Sequence, residues 1–115
     1  MSRDKAHLFD IVDSFELAIR YLAKQTRDEL AADAHNLDAI IRRIEIVGEA
    51  TKRLSGAFRT ANPQVPWREM AGMRDRVIHG YDRIDVVRVF RAVAVRMPEL
   101  LPELRRLLDS LPDPE

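Results

Sequence analysis

Apolar residues recur at three- and four-residue steps through four stretches of this chain, and no stretch reads convincingly as a strand. That period commits the chain to amphipathic helices packed face to face. In the first stretch the stripe is Leu8, Ile11, Val12, Phe15, Ile19 and Leu22, with Ser2 as a candidate N-cap. The pattern fades over residues 25–28, and the polar, alanine-rich residues 28–36 read as a loop that can hold a short turn. Asn36 then caps a second helix whose stripe is Leu37, Ile40, Ile41, Ile44, Val47 and Leu54, with Asp38 favourable in its first turn. Gly48 interrupts that helix at a cost of about 1 kcal/mol relative to alanine, which a close helix–helix approach would justify. The helix is expected to end near Ser55-Gly56 or to fray on toward Ala61.

The connection Asn62-Pro63-Gln64-Val65-Pro66 is punctuated by proline, and Pro66 suits the first position of a third helix. Trp67, Met70, Met73, Val77 and Ile78 supply its apolar face, and Gly80 falls where a C′ glycine would end it. Asp85 is a good N-cap for the fourth segment, with the stripe Val86, Val89, Phe90, Val93, Met97, Leu100, Leu101, Leu104 and Leu108. Residues 86–95 are β-branched enough to suggest a strand, but the helical stripe runs on unbroken and decides for helix. Pro98 should kink or split that helix, and Pro112 and Pro114 end the ordered chain. The expected fold is all-α: an antiparallel bundle of four to five helices, one domain over residues 1–111, with a short tail at 112–115.

The 115 residues are 46% hydrophobic and 33% charged, the composition of a globular domain with a real core and not of a disordered chain. The absence of cysteine removes disulfides and thiolate metal sites and fits a reducing cytoplasm, the expected location. No segment has the apolar length to span a bilayer, and Met1-Ser2-Arg3-Asp4-Lys5 leads into an amphipathic pattern and not a signal peptide, so no membrane partner is expected. Zero net charge argues against binding nucleic acid by bulk electrostatics. Yet 16 of the 19 cations are arginine, whose planar fork of donors matches phosphate. A GC-rich genome is the plain explanation of that bias, although local fields can still be basic.

One run carries candidate chemistry: Arg74-Asp75-Arg76-Val77-Ile78-His79-Gly80-Tyr81. Histidine serves as acid or base near neutral pH, and a fixed arginine stabilises charge on a phosphorane-like transition state. Metal-free RNA cleavage needs both. On an ideal helix Asp75 and His79 share a face one turn apart, so Asp75 can hold the imidazole in one tautomer. Arg74 points elsewhere, and the two converge only in a loosened last turn or across a two-fold dimer. His7 and His35 lack ligand partners at suitable spacing, so neither a metal nor a cofactor is expected.

Plainer roles exist for each residue. His79 can cap the third helix, Asp75 can pair on the surface with Arg76 or His79, and Tyr81 can be a core residue. Trp67 reads as a core anchor before a base-stacking platform. Arg83, Arg88, Arg91 and Arg96 read as a solvated face before an RNA track. Glu49 is either a buried partner for an arginine or exposed.

Three stretches together resemble the HepT-like family of the HEPN superfamily, the toxin half of MNT–HepT toxin–antitoxin pairs. They are Ile44-Glu45-Ile46-Val47-Gly48-Glu49-Ala50-Thr51-Lys52, then Pro66-Trp67-Arg68-Glu69-Met70-Ala71-Gly72-Met73-Arg74-Asp75, then His79-Gly80-Tyr81 followed by Ile84-Asp85. With the first helix and Met97-Pro98-Glu99-Leu100, the resemblance covers nearly the whole chain. It implies a homodimeric ribonuclease that cleaves RNA without a metal through an Arg-x-x-x-x-His-x-Tyr motif in a composite cleft. It also implies a minimal nucleotidyltransferase (MNT) antitoxin that transfers AMP to the motif tyrosine. On this chain the catalytic residues would be Arg74 and His79, the supporting residue Asp75 and the modified residue Tyr81. Many relatives carry asparagine at the position of Asp75. The alternatives are a non-catalytic HEPN-type subunit that docks a nucleotidyltransferase and binds nucleotide or RNA, and a purely structural helical dimer.

Overall fold

A computed structural model describes residues 3–80 and 83–113. Helix α1 (Asp4–Leu22) lies along α3 (Ala34–Arg53), and a long composite helix packs across α1. That composite runs through α7 (Val86–Arg91), a π turn (Ala92–Arg96) and α8 (Met97–Ser110). Shorter helices fill the corners: α2 (Arg27–Ala31), α4 (Gly56–Ala61), α5 (Trp67–Ala71) and α6 (Met73–Val77). The predicted stripes of all three long helices face inward, and their buried residues form one continuous apolar cluster with Trp67, Met70, Met73 and Val77. The all-α architecture thus follows from the helical period, because each stripe can leave water only against another stripe.

Several boundaries differ from the sequence reading. The short turn within residues 28–36 belongs to α2, which starts one residue earlier at Arg27: Thr26 accepts from the Glu29 backbone N–H at 3.1 Å, and Glu29 accepts from the Thr26 N–H at 2.8 Å. This reciprocal cap is legible as Thr-x-x-Glu. The N-cap of α3 is Asp33, whose carboxylate accepts from the Asn36 N–H at 3.1 Å. Asn36 instead donates its side-chain amide to the Tyr21 carbonyl and to Gln25, tying the end of α1 to α3. Asp38 therefore lies beyond the first turn. Ser55 starts a separate helix, α4, by accepting from the Phe58 N–H. The hydroxyl and N–H of Ser55 both donate to the buried Asp4 at 2.7 Å, which anchors the start of α1 at that corner. Ser2, the predicted cap of α1, lies outside the described residues, as does Pro114.

Gly48 faces the backbone of α5, but not so closely that it excludes a methyl group. A Cβ there would stand 3.4 Å from the carbonyl oxygen of Ala71, at the end of α5. Pro66 occupies the N-cap of α5 and not its first turn, and the ring of Trp67 is buried against Phe58 with Nε1 donating to the Asn62 carbonyl at 2.9 Å. Trp67 is thus a core anchor.

Two corrections bear on the site. The third helix is broken at Gly72 and ends at Val77, earlier than the sequence suggests. Ile78–His79 and Arg83–Ile84 then pair as two short antiparallel strands, β1 and β2, with Ile78 opposite Ile84 and His79 opposite Arg83. Gly80, at φ 74°, serves this reversal and is not a helix C′ residue. In the last segment the proline effect appears upstream of Pro98, as a π turn inside a continuous helix, with Pro102 accommodated further along.

Candidate active site

Arg74 stands on α6 with its guanidinium turned toward α3. Its Nε donates to Glu45 Oε2 at 3.3 Å, and its NH1 lies 3.8 Å from Asp75 Oδ1. Half of the Arg74 side chain is exposed, at 49%. Glu49, weighed as an arginine's partner, is exposed; Glu45, one turn earlier on α3, takes that place.

His79 sits in β1, just past the end of α6. The carboxylate that faces it belongs to Asp85, whose Oδ2 is 3.8 Å from His79 Nε2, within ion-pair reach but longer than a hydrogen bond. Asp75 is predicted to hold the imidazole, but the one-turn spacing requires a helix through residue 79, and α6 stops at Val77. The Asp75 side chain is 76% exposed and its ion-pair contact is with Arg74. Asp85 does three things at once. Its Oδ1 accepts from the Arg88 N–H at 3.1 Å and caps α7, its Oδ2 lies 3.3 Å from Arg88 Nε, and the same oxygen faces His79. The sequence marks Asp85 only as a cap, since no helical spacing relates it to residue 79. Asp85 N–H also donates to the Val77 carbonyl at 2.7 Å, so the reversal carries the carboxylate back beside the end of α6.

Arg74 and His79 therefore have different carboxylate partners, and no hydrogen bond joins them within one chain. Pairs this exposed are worth about 0–1 kcal/mol each within one chain. Tyr81 lies outside the described residues. Among the described residues no three His, Asp or Glu side chains gather as metal ligands, and no helix is long and apolar enough to cross a membrane.

The family model for "Ribonuclease HepT-like" matches residues 11–107, a span that contains α3, α6, Arg74 and His79. The chain belongs to the ribonuclease HepT-like family. A HepT-like relative from Thermococcus cleftensis, named "Probable ribonuclease HepT", is 35% identical over 103 residues, covering 90% of this chain and 94% of the relative. A Methanocaldococcus jannaschii protein named "Putative RNase" is 33% identical over 107 residues, covering 93% of this chain and 88% of its own length. A second protein of that organism, named "Gamma-glutamylcyclotransferase and putative RNase", is 36% identical over 107 residues, but this chain spans only 48% of it. No solved structure matches. The HepT-like assignment agrees with the resemblance read from the Gly-Glu-Ala, Pro-Trp and Arg-x-x-x-x-His segments.

Proposed function

We propose that this HepT-like protein is a metal-independent endoribonuclease, the toxin of a toxin–antitoxin pair, acting as a two-fold dimer. The observation that carries the reading is the exposure of Arg74 and His79, each backed by a carboxylate from another element and neither used for packing. In the reaction a base takes the 2′-hydroxyl proton, the 2′-oxygen attacks phosphorus, and the departing 5′-oxygen receives a proton. One His79 cannot do both at once. A dimer that apposes two motifs supplies one histidine as base and the other as acid, with Arg74 binding the phosphate and stabilising its added charge. Glu45 and Asp75 aim Arg74, and Asp85 takes the orienting role first given to Asp75. AMP transfer to Tyr81 by a minimal nucleotidyltransferase antitoxin would place bulk and phosphate charge beside these groups and block RNA.

RNA cleavage in EDTA tests this, with His79→Ala beside the unaltered protein. Loss of cleavage with unchanged melting is expected, and equal cleavage by both removes His79 from the mechanism. The separation of Arg74 from His79 in one chain favours a second reading, a non-catalytic subunit that docks a nucleotidyltransferase and binds RNA or nucleotide. That reading predicts no cleavage by either protein and a stable complex with the partner.

A further inference from the structure

A groove of about 280 Å³ opens between α6 and the composite helix. Among the described residues Arg76, Arg88, Arg91 and Arg96 line it against a single carboxylate, Glu69, in a chain whose net charge is zero. Arg96 holds Glu69 in a two-pronged contact, Nε at 2.6 Å and NH2 at 2.8 Å. That contact keeps the Glu69 carboxyl below its ordinary value, with Arg76 adding to the effect. Among the described residues the one acid in the lining is thus already neutralised. Arg76 and Arg91 have no ion-pair partner among the described residues, and both are exposed. Between the cations the floor is apolar: Ala92 is partly exposed there, over the buried Met73 and Val77.

The π turn builds this arrangement. In an α-helix a step of five residues ends about 140° around from its start, so Arg91 and Arg96 would face different ways. The i→i+5 pattern of residues 92–96 brings positions five apart toward one face, and both arginines line the groove. Arg88 then links the groove to the motif, because it shares the Asp85 carboxylate with His79.

We infer that this groove binds one nucleotide of single-stranded RNA next to the cleaved linkage, its phosphate on Arg76 and Arg91 and its base against Ala92 and the neighbouring Arg88 and Arg96 side chains. The inference rests on the ribonuclease reading for the identity of the ligand. Guanidinium groups clamp phosphate oxygens through paired N–H donors and also stack on bases. A duplex keeps its bases paired and stacked and cannot offer one to these side chains.

The test uses the full chain and a short fluorescent single strand carrying 2′-O-methyl groups, which cannot be cleaved. Affinity is measured by anisotropy over a range of salt for the unaltered protein and for the double variant Arg76→Ala with Arg91→Ala. The variant should bind on the order of tenfold more weakly, with a salt slope shallower by about 0.7, the value for one phosphate no longer neutralised. A duplex of equal length should weaken by a smaller factor, and ATP should not displace the strand. Unchanged affinity and slope overturn the inference. So do equal losses for single strand and duplex, which mark general surface charge, and displacement by ATP, which marks a free-nucleotide site. Melting should be unchanged, since neither arginine is buried or paired. Cleavable RNA run in parallel separates the two readings. Cleavage by the unaltered protein with no binding contrast removes the groove alone, and a binding contrast without cleavage removes the ribonuclease alone.

Discussion

Asp85 joins the fold to the proposed chemistry, and two substitutions separate its roles. Alanine removes both oxygens. It loses the cap that Oδ1 gives to the Arg88 N–H at 3.1 Å, worth about 1 kcal/mol, and leaves His79 without its facing carboxylate. The ion pair with Arg88, 59% exposed on the arginine side, adds less than about 0.5 kcal/mol. At roughly 2.1 cal/mol/K of unfolding entropy per residue, 1 kcal/mol corresponds to about 4 °C in a chain of 115 residues. Asp85→Ala should therefore melt about 4–6 °C lower. Asparagine keeps an oxygen for the cap but no charge for His79, so Asp85→Asn should melt within about 2 °C of the unaltered protein. Both should slow RNA cleavage about tenfold or more at saturating substrate while leaving binding of an uncleavable RNA unchanged. Calorimetry and single-turnover cleavage measure the two effects. Equal melting losses in the two variants would refute the cap argument, and full cleavage by Asp85→Asn would refute the role at His79.

Gly48→Ala should raise the melting temperature by up to about 4 °C, because alanine gains about 1 kcal/mol of helix propensity and its methyl would meet the Ala71 carbonyl at 3.4 Å, an ordinary contact. Gly48→Leu should lower it, since further carbons must displace the α5 backbone; a loss with alanine as well would show the approach to be tighter than that. Glu103 accepts from Arg106 and Gln64, and these bonds lower its pKa from 4.5 to about 2. A carboxyl depressed on folding stabilises the protein above its unfolded value, and that contribution is lost as pH falls through the folded one. The melting advantage over Glu103→Gln should thus be present at pH 6 and shrink between about 4.5 and about 2; an advantage that survives at the acid end would refute the assignment.

The sequence shows the three long helices because their stripes repeat locally, and it shows Asp85 as a cap because the capping carboxylate lies three residues from the N–H it accepts. It fails where an end depends on a neighbour. Nothing near residue 78 says that α6 stops at Val77, since the apolar face runs on through Ile78; the pairing with Ile84 takes that residue into β1. Once the helix stops there, the predicted partnership of Asp75 and His79 goes with it. Glu45 was within the recognisable Gly-Glu-Ala segment, yet its choice over Glu49 follows from how α6 lies on α3.

By itself, then, the amino-acid sequence determined the helical fold, its inward faces and the family motif, all of which depend on residue type at short spacing. Only the tertiary structure decided which carboxylate meets which cation. It set Asp85 beside His79 by a chain reversal, Glu45 beside Arg74 across two helices, and Arg91 with Arg96 on one groove through a π turn. Side-chain direction at a site depends on where helices end and how they cross, and those are settled by packing among segments far apart in the chain.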